Sequence, residues 1–187
     1  QVKLRFNEKL LDFAYREDSG SDQGVIRTIF SDQDYDLGHW HQGKALMDYH
    51  RARSAAAPSL IVDAGANIGA SAVYFLNQYD NAFVFAIEPD IANWRLLERN
   101  TRDYERKLNF YGAVAGQDGE LRLVDPGLSD CGFRTEATDA STDGAGLFVE
   151  AICPASILEH PATAGMNPLI FKIVIVGGVD CLFAGNT

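Results

Sequence analysis

Residues 62–71 have the sequence Val62-Asp63-Ala64-Gly65-Ala66-Asn67-Ile68-Gly69-Ala70-Ser71, which carries the clearest structural signal of the chain. It continues an apolar run that begins at Leu60, and such a run is typical of a β-strand buried on both faces. Gly65 and Gly69 permit a tight turn and a close approach of a ligand to the backbone. We therefore predict a strand, a glycine turn and a helix through about residue 79, with unpaired N–H groups at the start of the helix.

A second strand of the same buried type covers residues 82–87 and ends at the acid Glu88. The carboxyl ends of parallel strands meet at one edge of a sheet, so we expect Glu88 to lie within reach of the glycine turn. Its two carboxylate oxygens can accept hydrogen bonds from both hydroxyls of a ribose. The turn and the acid together predict an adenosine pocket.

Strand and helix patterns alternate through the rest of the chain. Further strands are predicted at 108–114, 146–152 and 169–176, with a helix to about residue 106 and a helical turn at 156–159. Asp118-Gly119 between two short apolar runs predicts a β-hairpin, and the polar stretch 125–146 predicts a loop. The fold class is therefore α/β: a Rossmann-like, mainly parallel, doubly wound sheet with helices on both faces.

The alternation begins only after the first quarter of the chain. Residues 1–55 are predicted to form an N-terminal cap, and residues 56–187 the ligand-binding domain. The sheet is expected to stop after its fourth core strand, which leaves an unpaired edge. That edge predicts either a longer protein or self-association of the chain through it.

Composition and charge exclude several partner classes. Sixteen basic residues stand against 26 acidic ones, a net charge of -10 that repels phosphate backbones and acidic membranes. No stretch has the length and apolar content of a membrane span or a signal peptide. The three cysteines show no metal-ligand spacing. We therefore expect a cytoplasmic protein without a metal site, and neither nucleic acid nor a membrane as a partner.

The order of residues in the turn separates two classes of cofactor. A dinucleotide fingerprint has Gly-x-Gly-x-x-Gly, but here Asn67 takes the place of the second glycine and Ala70 that of the third. The pattern Asp-x-Gly-x-Asn-x-Gly instead resembles the first motif of class I S-adenosylmethionine-dependent methyltransferases. An NAD(P)-dependent oxidoreductase remains a remote alternative.

Residues 55–187 resemble one branch of that class, the FkbM-like methyltransferases, which are best known for O-methylation of natural products and sugars. The resemblance is carried by four ordered blocks: residues 60–69, Ala86-Ile87-Glu88-Pro89-Asp90, Gly112-Ala113-Val114-Ala115 with Asp118-Gly119, and Phe171-Lys172-Ile173 with Gly177-Gly178. It implies S-adenosylmethionine as cofactor and a hydroxyl of a small molecule or sugar as methyl acceptor.

The resemblance also implies a set of cofactor contacts. The segment from Asp63 to Gly69 would surround the methionine part of the cofactor, and Glu88 would hold the ribose. Residues 89–90 would flank the adenine, and residues 113–114 would line its other side. The candidate cofactor-binding residues are Asp63, Gly65, Ala66, Asn67, Gly69, Ser71, Glu88, Pro89, Asp90, Ala113 and Val114.

The chain departs from the family in the last block. The family pattern Lys-Ile-Asp-(Ile/Val)-Glu-Gly-x-Glu has three acids, and this chain has Val174, Val176 and Val179 at those positions. The loss removes candidate general bases and cofactor contacts, so no catalytic base is assigned. A catalytically silent domain that binds an adenosine cofactor is therefore the second interpretation.

Overall fold

The computed structural model describes residues 1–124, 134–137 and 147–175. In chain order the elements are β1 (Val2–Phe6), β2 (Lys9–Phe13), α1 (Gly20–Ile26), a π-helical turn (Arg27–Ser31), α2 (His41–Arg53), β3 (Ser59–Ala64), α3 (Ala70–Gln78), β4 (Ala82–Glu88), α4 (Ile91–Thr101), β5 (Lys107–Tyr111), β6 (Ala113–Val114), β7 (Gly119–Val124), β8 (Arg134–Ala137), β9 (Leu147–Ile152), α5 (Pro154–Glu159) and β10 (Asn167–Ile173).

A four-stranded parallel sheet has the strand order β10-β3-β4-β5. The chain proceeds from β3 through β4 to β5 on one side, and later returns to place β10 on the other side of β3. Between β3 and β10 the order therefore reverses, and ligands of open α/β sheets bind at such reversals. The predicted α/β class is confirmed, and the parallel sheet is compatible with a Rossmann-like fold.

Apolar side chains alternate between the two faces of this sheet, as expected for strands buried on both sides. Ile61 and Val84 face one hydrophobic cluster, to which α3 and α4 contribute. Leu60 and Phe85 face another, in which Ile157 of α5 is completely buried. Helices therefore cover both faces, as the sequence predicts.

A second sheet, with the order β6-β9-β7-β8, was not expected from the sequence. The predicted strand 108–114 is wrong as a single element, because β5 ends at Tyr111 and Ala113–Val114 pairs with β9 instead. The chain passes so close to β9 at Gly112 that a Cβ there would lie 2.4 Å from the Glu150 carbonyl oxygen. A glycine is required at this close approach, and the strand changes sheets there.

The predicted hairpin at Asp118-Gly119 is also wrong, because β9 lies between β6 and β7. The Asp118 carboxylate holds the start of α5 instead. Its Oδ1 accepts a hydrogen bond from Cys153 N at 2.6 Å, and its Oδ2 accepts one from Ser156 Oγ at 2.5 Å. The chain does bend at Asp118, but the Asp118 carboxylate binds the start of α5, and the bend does not join two neighbouring strands.

The N-terminal segment shares a hydrophobic cluster with the parallel sheet. Phe6 and Phe13 of the β1–β2 hairpin are buried in the cluster that contains Tyr74 and Ile61, and the rings of Phe6 and Tyr74 lie 4.9 Å apart. Asn100 of α4 also hydrogen-bonds both backbone groups of Ala14, at 2.7 and 2.9 Å. The domain boundary near residue 55 remains a prediction.

The predicted loop 125–146 and the predicted last strand extend beyond the residues that the structure describes. β8 lies within the predicted loop 125–146, and the rest of that loop is outside the described residues, as is residue 176 at the end of the predicted last strand. Among the helices described, none is long and apolar enough to span a membrane.

Candidate functional site

A cavity of about 490 Å³ opens at the carboxyl ends of β3, β4 and β10, where the strand order reverses. The predicted site residues that line it are Gly65, Ala66, Asn67, Ser71, Glu88, Pro89, Ala113 and Val114. In the parallel pairing of β3 and β4, Ala64 lies opposite Ile87. The glycine turn after β3 and Glu88 at the end of β4 therefore lie side by side at the same edge of the sheet. The expected convergence of turn and acid is confirmed: Glu88 Oε2 accepts a hydrogen bond from Asn67 N at 2.8 Å.

The turn between β3 and α3 is built from left-handed residues. Gly65, Asn67 and Gly69 have φ angles of 77°, 51° and 86°. These values are accessible to glycine and, at modest cost, to asparagine, which explains these residue types. Gly65 is further restricted because a Cβ there would lie 2.0 Å from the Val174 carbonyl oxygen.

The backbone N–H groups of the turn that precedes α3 are paired within the protein. The N–H groups of Gly65 and Ala66 both donate to the Ile87 carbonyl, at 3.0 and 2.9 Å. The N–H of Ile68 donates to the Asn67 side-chain oxygen at 2.7 Å, and that of Gly69 donates to the Ala66 carbonyl at 2.9 Å. Together with the bond from Asn67 N to Glu88, every N–H from residue 65 to 69 has a partner within the protein.

Glu88 is the buried acid of the cavity, with only 5% of its surface exposed. Its Oε1 accepts from Asp90 N at 3.0 Å, its Oε2 accepts from Asn67 N, and the Asn93 side chain donates a further hydrogen bond. Burial raises the pKa of Glu88 to about 7, because desolvation outweighs these three hydrogen bonds, which favour the charged form. A carboxylate offers about four acceptor positions, so about one remains for a ligand.

Asp63 does not line the cavity. Its carboxylate is completely buried beneath the turn and forms an ion pair with Lys172 Nζ at 2.8 Å. Ser71 Oγ donates to the second oxygen at 2.7 Å, and Lys172 Nζ also donates to the Gly65 carbonyl at 2.7 Å. The pair therefore ties β10 to β3 and fixes the turn, and Lys172 itself lines the cavity.

Two other candidates also support the cavity from outside its lining. Gly69 precedes α3 and packs against Leu97, whose Cδ1 would lie 2.9 Å from a Cβ at residue 69. Asp90 caps α4, where its Oδ1 accepts a hydrogen bond from Asn93 N at 2.8 Å. Both residues hold helix starts in place.

Sequence reasoning missed one wall of the cavity, which comes from the N-terminal segment. The residues concerned are Ser21, Gly24, Val25, Thr28, Ile29 and Tyr35. Val25 and Ile29 lie four residues apart, the spacing of one helix face, and this was the available signal. Ser21 Oγ is buried and has no hydrogen-bond partner among the described residues.

Of the three valines that stand where the resembled pattern has acids, the structure describes Val174 alone. Val174 and Ile175 line the cavity beyond the end of β10, and Val176 and Val179 lie outside the described residues. Within the described parts of the chain, no group of three His, Cys, Asp or Glu side chains could hold a metal, and Cys153 is a free thiol.

Comparison of the chain with protein-family models, with curated proteins and with solved structures finds no match.

Proposed function

We propose that the chain binds S-adenosylmethionine in this cavity and is a methyltransferase domain of the FkbM-like kind, acting on a hydroxyl of a small molecule or sugar. The observation that carries the proposal is the hydrogen bond between Asn67 N and Glu88 Oε2. It brings the glycine turn and the strand-end acid onto one cavity, as an adenosine site requires. The cavity volume also lies within the range of small-molecule sites.

The chemistry of the lining fits the nucleoside part of the cofactor. Glu88 offers an acceptor for a ribose hydroxyl, and Ile87, Pro89 and Val114 supply an apolar wall for a flat ring. The unpartnered Ser21 Oγ gives a polar contact that a ligand can satisfy. This lining therefore suits the neutral and apolar groups of a nucleoside.

A dinucleotide fits the turn less well than an adenosine nucleoside does. A pyrophosphate is bound by backbone N–H groups that point to it at a glycine turn and helix start. From Gly65 to Gly69 these groups are already used within the protein. This pairing weighs against the oxidoreductase alternative.

When bound, the cofactor supplies a methyl group that is already activated by its sulfonium. The chain then has to align an acceptor oxygen with that group and exclude water from it. The apolar residues of the N-terminal wall, Val25 and Ile29, exclude water, and the Asp63–Lys172 ion pair holds the turn rigid. We assign no residue to proton removal.

A specific observation favours the second candidate function, a binding domain without turnover. Val174 lines the cavity at a position where the family pattern has an acid. A valine side chain neither removes a proton nor hydrogen-bonds a cofactor. The triple substitution Val174→Asp, Val176→Glu and Val179→Glu tests this alternative, because it should produce methyl transfer in a chain that binds the cofactor but lacks activity.

Calorimetric titration with S-adenosylhomocysteine and, separately, with NAD⁺ tests the proposed cofactor. We expect binding of S-adenosylhomocysteine and no heat from NAD⁺. The reverse result would reject the proposal and favour an oxidoreductase. Methyl transfer to a panel of hydroxyl compounds then separates an active enzyme from a silent binding domain.

We also propose that the chain associates with itself through the β10 edge. Among the described residues β10 pairs only with β3, and Phe171 on it is 39% exposed. An unpaired strand edge is a template for pairing with another chain. Analytical ultracentrifugation should show a dimer that Phe171→Pro converts to a monomer, and a monomeric wild type would contradict this.

A further inference from the structure

A chain of hydrogen bonds leads from the N-terminal segment to Glu88. Arg16 lies just beyond β2, and its side chain clamps the completely buried Asp22 of α1, with Nη2 to Oδ1 at 2.6 Å and Nε to Oδ2 at 3.0 Å. The same Nη2 donates to Asn93 Oδ1 at 2.7 Å. Asn93 stands in the first turn of α4 and hydrogen-bonds the Glu88 carboxylate.

The arginine determines which way the Asn93 amide points. An asparagine side chain carries an acceptor oxygen and a donor nitrogen, and rotation about its last bond exchanges them. Arginine has donors only, so the Asn93 oxygen faces Arg16 and its nitrogen faces Glu88. With the opposite orientation, the amide oxygen would face the carboxylate and the hydrogen bond to Glu88 would be lost.

We propose that Arg16 is a positioning residue for ribose recognition, which acts through Asn93 to fix the Glu88 carboxylate. The inference rests on the proposed function, since it assumes that the cavity takes an adenosine nucleoside. With Asn67, Asp90 and Asn93 as donors, Glu88 retains about one acceptor position directed to the ligand. The N-terminal segment therefore contributes to nucleoside binding through a residue that does not line the cavity.

A comparison of two ligands distinguishes this role from a merely structural one. The probes are S-adenosylhomocysteine and its 2′,3′-dideoxy analogue, titrated calorimetrically into wild type and Arg16→Gln. We expect Arg16→Gln to weaken binding of S-adenosylhomocysteine roughly tenfold, the effect of misplacing one hydrogen bond to a charged group. Binding of the dideoxy analogue should change less than about twofold, because its ribose has no hydroxyl that can donate a hydrogen bond to Glu88.

Two further variants complete the test. Arg102→Gln makes the same charge change at the exposed residue that directly follows α4 and should leave both affinities unchanged. Arg16→Gln leaves the buried Asp22 carboxylate without its cation, which threatens folding. Asn93→Leu removes the hydrogen bonds that join Arg16 to Glu88 but leaves the Arg16–Asp22 ion pair intact. The same two probes can therefore be compared in a variant that keeps this ion pair. Since Asn93 itself lines the cavity, the readout for this variant is the ratio of the two affinities, which should shift against S-adenosylhomocysteine as it does in Arg16→Gln.

The outcomes separate the inference from the proposed function. If wild type binds neither probe, the proposed function fails. If wild type binds S-adenosylhomocysteine but the substitutions weaken both probes equally or neither probe, the proposed function stands and the role of Arg16 is rejected.

Discussion

Glu88 is a carboxylate that the fold buries and then supplies with donors. Its pKa is raised from 4.5 to about 7, first because burial disfavours the charge and then because Asp90 is nearby. Since the folded-state pKa exceeds the ordinary value, the folded state binds more protons than the unfolded state between these two pH values. The contribution of Glu88 to stability is therefore present below pH 4.5 and is lost as the pH rises to about 7.

This linkage predicts a pH-dependent difference between wild type and Glu88→Gln. We expect the free energy of unfolding of wild type, relative to the variant, to fall by up to about 3 kcal/mol as the pH rises through that window. Urea unfolding of both proteins below pH 4.5 and above pH 7 measures the difference. A difference that does not change with pH would contradict the assigned burial of the carboxylate.

Single residues differ in how far the sequence predicts their roles. Glu88 and Asn67 could be located because they end one strand and follow another, and parallel strands bring those ends together. Ser21 and Asn93 could not, since their part in the site depends on tertiary contacts that bring α1 and α4 to the same cavity. Asp63 was placed correctly at the strand end, but its partner Lys172 comes from a strand more than 100 residues later.

At the scale of elements, the turn from β3 to α3 depends on the absence of a side chain at residue 65. Gly65→Ala should lower the free energy of unfolding by at least about 2 kcal/mol, because it combines a left-handed φ with a contact to the Val174 carbonyl. Gly20→Ala is the matched control, since nothing lies within 4 Å of a Cβ there. Its effect on unfolding in urea should stay below about 1 kcal/mol. Equal effects of the two substitutions would contradict the described turn.

The attachment of β10 to β3 depends on the Asp63–Lys172 ion pair. Lys172→Met leaves the completely buried Asp63 carboxylate without its cation and should cost about 3–5 kcal/mol of stability. The double variant Asp63→Asn/Lys172→Met should recover part of this loss, because no isolated charge remains. Arg51→Met, which breaks the exposed Asp48–Arg51 pair, should cost less than about 1 kcal/mol. Strict additivity of the two buried substitutions in urea unfolding would show that the pair is not coupled.

Strands and helices could be predicted from the sequence where a local pattern determines them. They could not be predicted where a distant segment of the chain takes the neighbouring place in a sheet. β3, β4 and α3 follow from apolar runs and the glycine turn. The break at Gly112 and the failed hairpin at Asp118 arise because β9 takes the place beside β6 and β7. β9 comes some 30 residues later in the chain, so the sequence near Gly112 contains no signal for this pairing.

At the scale of the whole molecule, the N-terminal segment and the parallel sheet share one hydrophobic cluster. Phe13, on β2, is completely buried in it. We expect Phe13→Ala to destabilise the entire chain by about 3–5 kcal/mol, as judged by the fluorescence of Trp94 in α4 in a Trp40→Phe background. Leu10→Ala, on the exposed part of the same strand, is the control. An unchanged Trp94 transition would show that residues 1–55 unfold independently.

The alternation of strand and helix patterns predicted the α/β class of the chain but not the contribution of its first 35 residues to the cavity. A segment that follows no repeating strand and helix pattern gives little indication of the face on which it packs. The sequence therefore located the half of the site formed by the sheet, and the structure added the half formed by α1 and Tyr35.

The proposed site is tested most directly by calorimetric titration of S-adenosylhomocysteine into wild type and Glu88→Ala, roughly two pH units above the pKa of Glu88 so that its carboxylate is charged. We expect one site per chain in wild type and an affinity at least about tenfold lower in the variant, because the acceptor for the ribose is removed. Equal affinities in a folded Glu88→Ala, or no binding to wild type, would contradict the claim that the glycine turn and Glu88 form an adenosine site.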